Sequence, residues 1–99
     1  MLSKKELFNA KASSRKIEKG LQIDVVNVGS YDDTDKDGNP VTVSVLVDKD
    51  GVVYASVSKT VNDVLDMLDD ILIEEGHVLI EVCENTSNSG RKFYQLMML

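Results

Sequence analysis

The chain is poor in the residues that define several common protein classes. Its 99 residues contain no tryptophan, one proline, one histidine and one cysteine, Cys83. A single cysteine excludes an internal disulfide, and no apolar run is long enough for a signal peptide or a membrane span. We therefore expect a cytoplasmic protein whose residues 1–99 form a single domain with a small core.

The sequence also offers little for catalysis or for cofactor binding. His77 is the only histidine, and Cys83 has no second cysteine or histidine at metal-ligand spacing. The chain contains neither a phosphate-binding glycine loop nor a serine elbow. We therefore predict a protein that is not an enzyme and that uses no cofactor.

The charge of the chain is unevenly distributed. The formal net charge is −6, but residues 1–20 hold six basic and two acidic residues, a balance of +4, so the remainder carries −10. This basic segment favours an anionic partner; the alternative is that its lysines only solvate a leading helix. The cations predicted to contact phosphates in this segment are Lys11, Arg15, Lys16 and Lys19.

Alternating apolar residues predict strands, with a bend in the first of them. In residues 21–28 the apolar parity changes between Val25 and Val26, which is typical of a β-bulge. Residues 41–47 place four valines on one face, and residues 53–57 continue that inward parity. Tyr54 is then predicted to point outward.

Two helices are predicted from capping and periodicity. Ser3 and Glu6 form a capping box, which begins a short amino-terminal helix. Apolar residues at intervals of three and four predict a longer helix over residues 61–75, with Thr60 or Asp63 as a cap and Gly76 at its end.

The elements therefore follow the order strand, strand, strand, helix, strand, strand, after a short helix. The fourth strand is predicted over residues 78–83 and the fifth over residues 91–99. This order resembles the OB-fold, a mainly β barrel of five antiparallel strands, here with a helix between the third and the fourth. A flat antiparallel sheet backed by one helix uses the same elements and stays open as an alternative.

Four segments carry a resemblance to a known family. KELFNAK near the start, VDKDGVVY between two strands, IEEG at the helix end and SGRKFYQLMML at the close resemble small single-stranded DNA-binding proteins of tailed phages that infect Gram-positive hosts. The resemblance implies coating of displaced strands during phage DNA replication in the host cytoplasm, without enzymatic activity. The chain differs in lacking tryptophan and a long acidic tail.

Binding of single strands without sequence preference needs exposed aromatic faces and a track of cations. Phe93 and Tyr94 are adjacent and face opposite ways, so we predict that Tyr94 is buried and that Phe93 lies exposed beside Arg91. Phe8 is predicted to be a core residue. The predicted nucleic-acid-binding residues are Tyr54, Arg91, Phe93, Lys92, Lys11, Arg15, Lys16, Lys19 and Tyr31, the last at the mouth of the first loop.

The first loop contains a weak candidate for a calcium site. Asp33, Asp35 and Asp37 precede Gly38 in the order of the first half of an EF-hand loop. The twelfth position of that loop, where a glutamate closes the site, is Ser44, and the flanking segments are strands. Ordinary turn chemistry is the favoured interpretation.

A second function, from a different class, stays open. The outer face of the long helix is acidic, as is the first loop, and such a surface mimics a phosphate track. The alternative is an acidic protein-interaction module, or an inhibitor of a host factor, that binds a basic protein surface. The acidic residues of the helix are Asp63, Asp66, Asp69, Asp70, Glu74 and Glu75.

The last strand needs a cover, because residues 96–99 are apolar on both parities. One candidate cover is the amino-terminal helix, through Leu2, Leu7 and Phe8. The other is a second copy of the chain, in a homodimer through the C-terminal strand. The dimer is favoured because methionine-rich surfaces suit adaptable contacts.

Overall fold

Six strands form one curved sheet that carries three short helices. The structure is a computed structural model and describes residues 1–99. In chain order the elements are α1 (Lys4–Ala12), β1 (Arg15–Lys16), β2 (Gln22–Thr34), β3 (Pro40–Asp48), β4 (Val53–Ser56), α2 (Lys59–Asp63), α3 (Leu65–Glu75), β5 (Val78–Thr86) and β6 (Lys92–Met98). None of the helices has the length and apolar character of a membrane-spanning segment.

The strand order confirms the predicted OB-like, mainly β fold. Within the sheet the strands lie in the order β1, β4, β3, β2, β5, β6, and every neighbouring pair is antiparallel except β1 with β4. The five long strands, β2 to β6, are the predicted ones, with helices between the third and the fourth. The sheet curls into an open half-barrel, so β1 and β6 are its two edges.

The bend predicted in the first long strand is confirmed. The register of β2 against β3 shifts between Val25 and Asn27, so Val26 is the extra residue of a bulge. Val25 and Val28 are fully buried although their parities differ. Before the bulge β2 pairs with β5, and after it with β3, so one strand serves both halves of the sheet.

The residues of β3 and β4 that were predicted to face the core do not face the main core, so this prediction is wrong. Leu46 and Tyr54, which are paired across the two strands, belong to the main core, on the concave side of the sheet. The alternate residues Val45, Val47 and Val53 pack instead beneath α1 on the other side. Because both faces of these strands are covered, apolar residues occur on both parities, and alternation does not identify the inner face.

Helix α1 begins with the predicted capping box. The Glu6 amide donates to Ser3 Oγ at 3.2 Å, and the Ser3 amide donates to Glu6 Oε1 at 3.1 Å. The helix is held to the sheet by Leu2 and Ala10, both buried. Phe8 points to solvent, so its prediction as a core residue is wrong.

Helix α1 packs closely against β2 because residue 29 is a glycine and has no Cβ atom. A Cβ atom at this position would lie 2.9 Å from Cδ2 of Leu7 and 3.1 Å from Cβ of Leu2. We expect Gly29→Ala to lower the free energy of unfolding by about 1–3 kcal/mol, because Leu2 and Leu7 must shift from their packing against β2. Urea unfolding measures this, with Ser30→Ala on the same strand as a control within about 0.5 kcal/mol of wild type. Equal stability of the two variants would contradict this packing.

The helical segment after β4 is broken, where one continuous helix was predicted. Val64 has φ −102° and ψ 1°, and this residue separates α2 from α3. The cap predicted from Thr60 or Asp63 is also wrong, because neither helix start has a side-chain cap. The predicted end at Gly76 is confirmed: its φ is 83°, and its amide donates to the Leu72 carbonyl at 2.8 Å.

The last strand, β6, is an edge strand that pairs only with β5. Tyr94 and Leu96 are partly buried against the main core, as predicted for Tyr94. Met97, Met98 and Leu99 are exposed. Leu2 and Leu7 pack against Val45 instead, and Phe8 is exposed, so the alternative in which these three residues of the amino-terminal segment cover β6 is wrong.

Candidate nucleic-acid interface

A groove of about 890 Å³ lies between strands β1 and β4 on one side and the start of β6 on the other, with α2 between them. The parallel pairing of β1 with β4 places Arg15 beside Tyr54 and Lys16 beside Ala55, along one side of the groove. The groove is lined by Ser14, Arg15, Lys16, Ile17, Val43, Ala55, Ser56, Val57, Ser58, Lys59, Thr60, Asp63, Lys92, Phe93 and Tyr94.

The lining of the groove is basic in a chain that is acidic overall. Its cations are Arg15, Lys16, Lys59 and Lys92, against a single carboxylate from Asp63. Lys92 Nζ lies 3.8 Å from Glu84 Oε1 in an exposed pair, and the other three cations form no salt bridge. Such exposed pairs are weak, so all four cations are available to an anionic ligand.

The floor of the groove is apolar. Val43 comes from β3 and Ala55 from β4, and Phe93 adds a half-buried aromatic ring from β6, while Val57, which follows β4, is exposed. Strands β3 and β4 are the second and third of the five long ones. In OB-folds the face of the second and third strands binds oligonucleotides and oligosaccharides, so the groove includes part of the expected binding face.

Two hydroxyl groups hold the two sides of the groove together. Thr60 Oγ1 donates to the Tyr94 carbonyl at 2.6 Å, and Ser58 Oγ donates to the same oxygen at 3.3 Å. Lys59 lies between these two residues in the chain. The bonds therefore fix the start of α2 against β6 and place Lys59 near Lys92 and Phe93.

Four of the predicted site residues meet in this groove: Arg15, Lys16, Lys92 and Phe93. Phe93 is half-buried, so its predicted exposed position beside Arg91 is wrong. Arg91 is exposed but does not line the groove, and the cation next to Phe93 in the lining is Lys92. Lys19 also lies outside the groove, in the turn before β2.

Tyr54 and Tyr31 lie elsewhere than predicted. Tyr54 is only 9% exposed and packs in the main core, so its predicted outward position is wrong and its ring offers no face to a base. Tyr31 lies within β2, opposite Val43, rather than at a loop mouth. Burial, and then the nearby charge of Asp33, raise the pKa of Tyr31.

Lys11 belongs to α1 and contacts Tyr31 rather than the groove. Its Nζ atom lies 5.8 Å from the centroid of the Tyr31 ring and 3.7 Å from Asp33 Oδ1. The salt bridge between Lys11 and Asp33 is exposed and weak, so Lys11 can exchange Asp33 for another anion.

Lys59 and Val57 line the groove but were not predicted from the sequence. Val57 follows β4 and Lys59 begins α2, which is too short to show helical periodicity, and the bond of Thr60 to β6 holds this segment at the groove. The sequence indicated a role for this segment only through its position in the chain. It connects the third predicted strand to the helix and so passes the open side of the barrel.

The aspartates of the first loop do not assemble a calcium site. Asp35 accepts hydrogen bonds from the Asp37 and Asn39 amides, each at 2.9 Å, as in an ordinary turn. Asp33 lies in β2 beside Lys11. The structure contains no group of three side chains able to hold a metal ion.

Comparison with known proteins identifies the family. The family model described as phage single-stranded DNA-binding protein, of the Phi29 type, matches residues 2–99. The chain belongs to this family. No curated protein sequence and no solved structure matches the chain. The Phi29-type phage single-stranded DNA-binding proteins are non-enzymatic DNA-binding proteins, and the match covers α1 as well as the barrel.

Proposed function

We propose that the protein binds single-stranded DNA in the groove and coats displaced strands during phage DNA replication, without catalysing a reaction. The observation that carries the proposal is the groove itself, where four cations surround an apolar floor that includes Phe93. Membership of the phage single-stranded DNA-binding family supports the choice of ligand.

The groove suits a single strand for two physical reasons. Arg15 and Lys16 on one side and Lys59 and Lys92 on the other are placed to neutralise phosphates, which releases counterions from the strand. The ring of Phe93 offers a face on which a base can stack, and every base has such a face. Binding is therefore expected to depend weakly on sequence.

The direct test of this function compares a labelled oligothymidine with a duplex of equal length by fluorescence anisotropy, across a series of salt concentrations. The proposal expects a preference for the single strand and an affinity that falls as salt rises. Equal affinity for the duplex, or no binding at low salt, would rule it out.

One observation favours the alternative of an acidic protein-interaction module. Met67 and Ile73 are exposed on α3 among its acidic side chains. A protein that acts through this face would not bind the oligothymidine, so the same titration separates the two functions.

We also propose that a second copy of the chain covers β6. The outer edge of this strand has no partner strand, and the exposed Met97, Met98 and Leu99 lie at its end. Light scattering of the DNA-free protein at about 100 micromolar is expected to give a dimer mass. Met97→Lys with Leu99→Lys is expected to give the monomer, and Met67→Lys, at another exposed methionine, the dimer. A monomeric wild type would exclude this interface.

A further inference from the structure

Phe8 is the only aromatic side chain that the fold leaves exposed. It is 75% exposed on α1, whereas the other four aromatic residues are buried or half-buried. The helix is held to the sheet by Leu2, Leu7 and Ala10, so packing within the chain does not explain Phe8.

The surroundings of Phe8 are basic. Successive residues of an α-helix are turned by about 100°, so Lys4, Lys5 and Lys11 all lie within about 60° of Phe8 around the helix axis. Glu6, the only acidic residue of α1, lies about 160° away, on the opposite flank. The three lysines are exposed, so the ring stands in a positive patch.

This side of α1 is continuous with the groove. Lys11 Nζ lies 5.8 Å from the centroid of the half-buried Tyr31 ring. Tyr31 is opposite Val43 in the pairing of β2 with β3, and directly paired residues point to the same face of a sheet. Val43 lines the groove. A strand that leaves the groove over Val43 and Tyr31 therefore arrives at Lys11 and Phe8.

We propose that Lys4, Lys5, Phe8 and Lys11, named here the α1 patch, form a second subsite for the same single strand. Phe8 stacks one base, and the lysines contact the phosphates on either side of it. The inference rests on the proposed binding of single strands in the groove. Charge complementarity and continuity with the groove select DNA as the occupant.

Because one strand occupies both subsites, the effect of replacing Phe8 on affinity depends on the length of the oligonucleotide. An oligothymidine of about 4 nucleotides fills the groove alone, whereas one of about 16 nucleotides also reaches the α1 patch. Phe8→Ala is expected to weaken binding of the long oligonucleotide by roughly 5-fold to 150-fold, the effect of one lost stacking contact, and to leave binding of the short one unchanged.

Three further variants serve as controls for Phe8→Ala: one at an equally exposed apolar residue, one that keeps an aromatic ring at position 8, and one at a lysine of the α1 patch. Ile73→Ala removes an equally exposed apolar side chain, 76% exposed on α3, and is expected to leave both affinities unchanged. Phe8→Trp keeps a stacking face and is expected to bind the long oligonucleotide at least as tightly as wild type. Lys5→Ala is expected to flatten the salt dependence for the long oligonucleotide by about 0.7 in log–log slope.

The outcomes separate this inference from the function on which it rests. If wild type binds both lengths and Phe8→Ala binds both with wild-type affinity, the α1 patch is overturned and the groove remains. If Phe8→Ala weakens both lengths equally, or lowers the mass of the DNA-free protein in light scattering, Phe8 acts elsewhere and the patch is again overturned. If wild type binds neither length, both proposals fail.

Discussion

Replacing Phe93 with alanine is expected to weaken binding of oligothymidine by roughly 5-fold to 150-fold, because stacking on an aromatic ring contributes about 1–3 kcal/mol per base. The ring lies at the floor of the groove, so the loss is expected for short oligonucleotides as well as for long ones. Fluorescence anisotropy at fixed salt measures it.

Phe93→Tyr is the matched control for this prediction, since it keeps the aromatic face and is expected to bind like wild type. Phe93 is half-buried, so urea unfolding must show that the alanine variant is folded at the temperature of the titration. A folded Phe93→Ala variant with wild-type affinity would exclude stacking at this position.

Removing two groove cations is expected to change the salt dependence of binding. Each phosphate contact on a single strand contributes about 0.7 to the slope of log affinity against log salt, so Arg15→Ala with Lys59→Ala is expected to flatten the slope by about 1.4. The affinity at low salt falls as well, because fewer counterions are released. Titrations at several salt concentrations measure both quantities.

The control for this variant removes the same charge from another place. Lys36 and Lys49 are exposed cations in the turns after β2 and β3, outside the groove. Their double alanine variant has the same net charge as the groove variant, and its slope is expected to stay within error of wild type. Equal flattening by the two variants would mean that only the net charge matters and would remove the reason for placing phosphates in the groove.

Local signals in the sequence predicted the parts of the fold that depend on local chemistry. The capping box at Ser3 and Glu6 and the stop at Gly76 are set by hydrogen bonds within one turn. The bulge at Val26 was visible because a change of apolar parity has few other causes. The order of the strands and the long helix along the chain, together with this change of parity, was enough to indicate the barrel.

Tertiary contacts account for what the sequence did not predict. Alternation could not assign Tyr54 to the main core, because α1 covers the other face of the same strands and makes both parities apolar. The helix also decides the position of Phe8, since Leu7 rather than Phe8 faces Gly29. Lys59 reaches the groove only through the bonds of its neighbours to Tyr94, which no local pattern encodes.

The placement of the strand in the groove is tested most directly by nuclear magnetic resonance of the isotope-labelled protein, titrated with an oligothymidine of about 4 nucleotides. We expect the largest changes in amide chemical shift at residues 14–17, 55–60 and 92–94, which line the groove, and none along α3. Largest changes along α3, or at residues 97–99 of the exposed C-terminal end, would contradict the groove as the binding site.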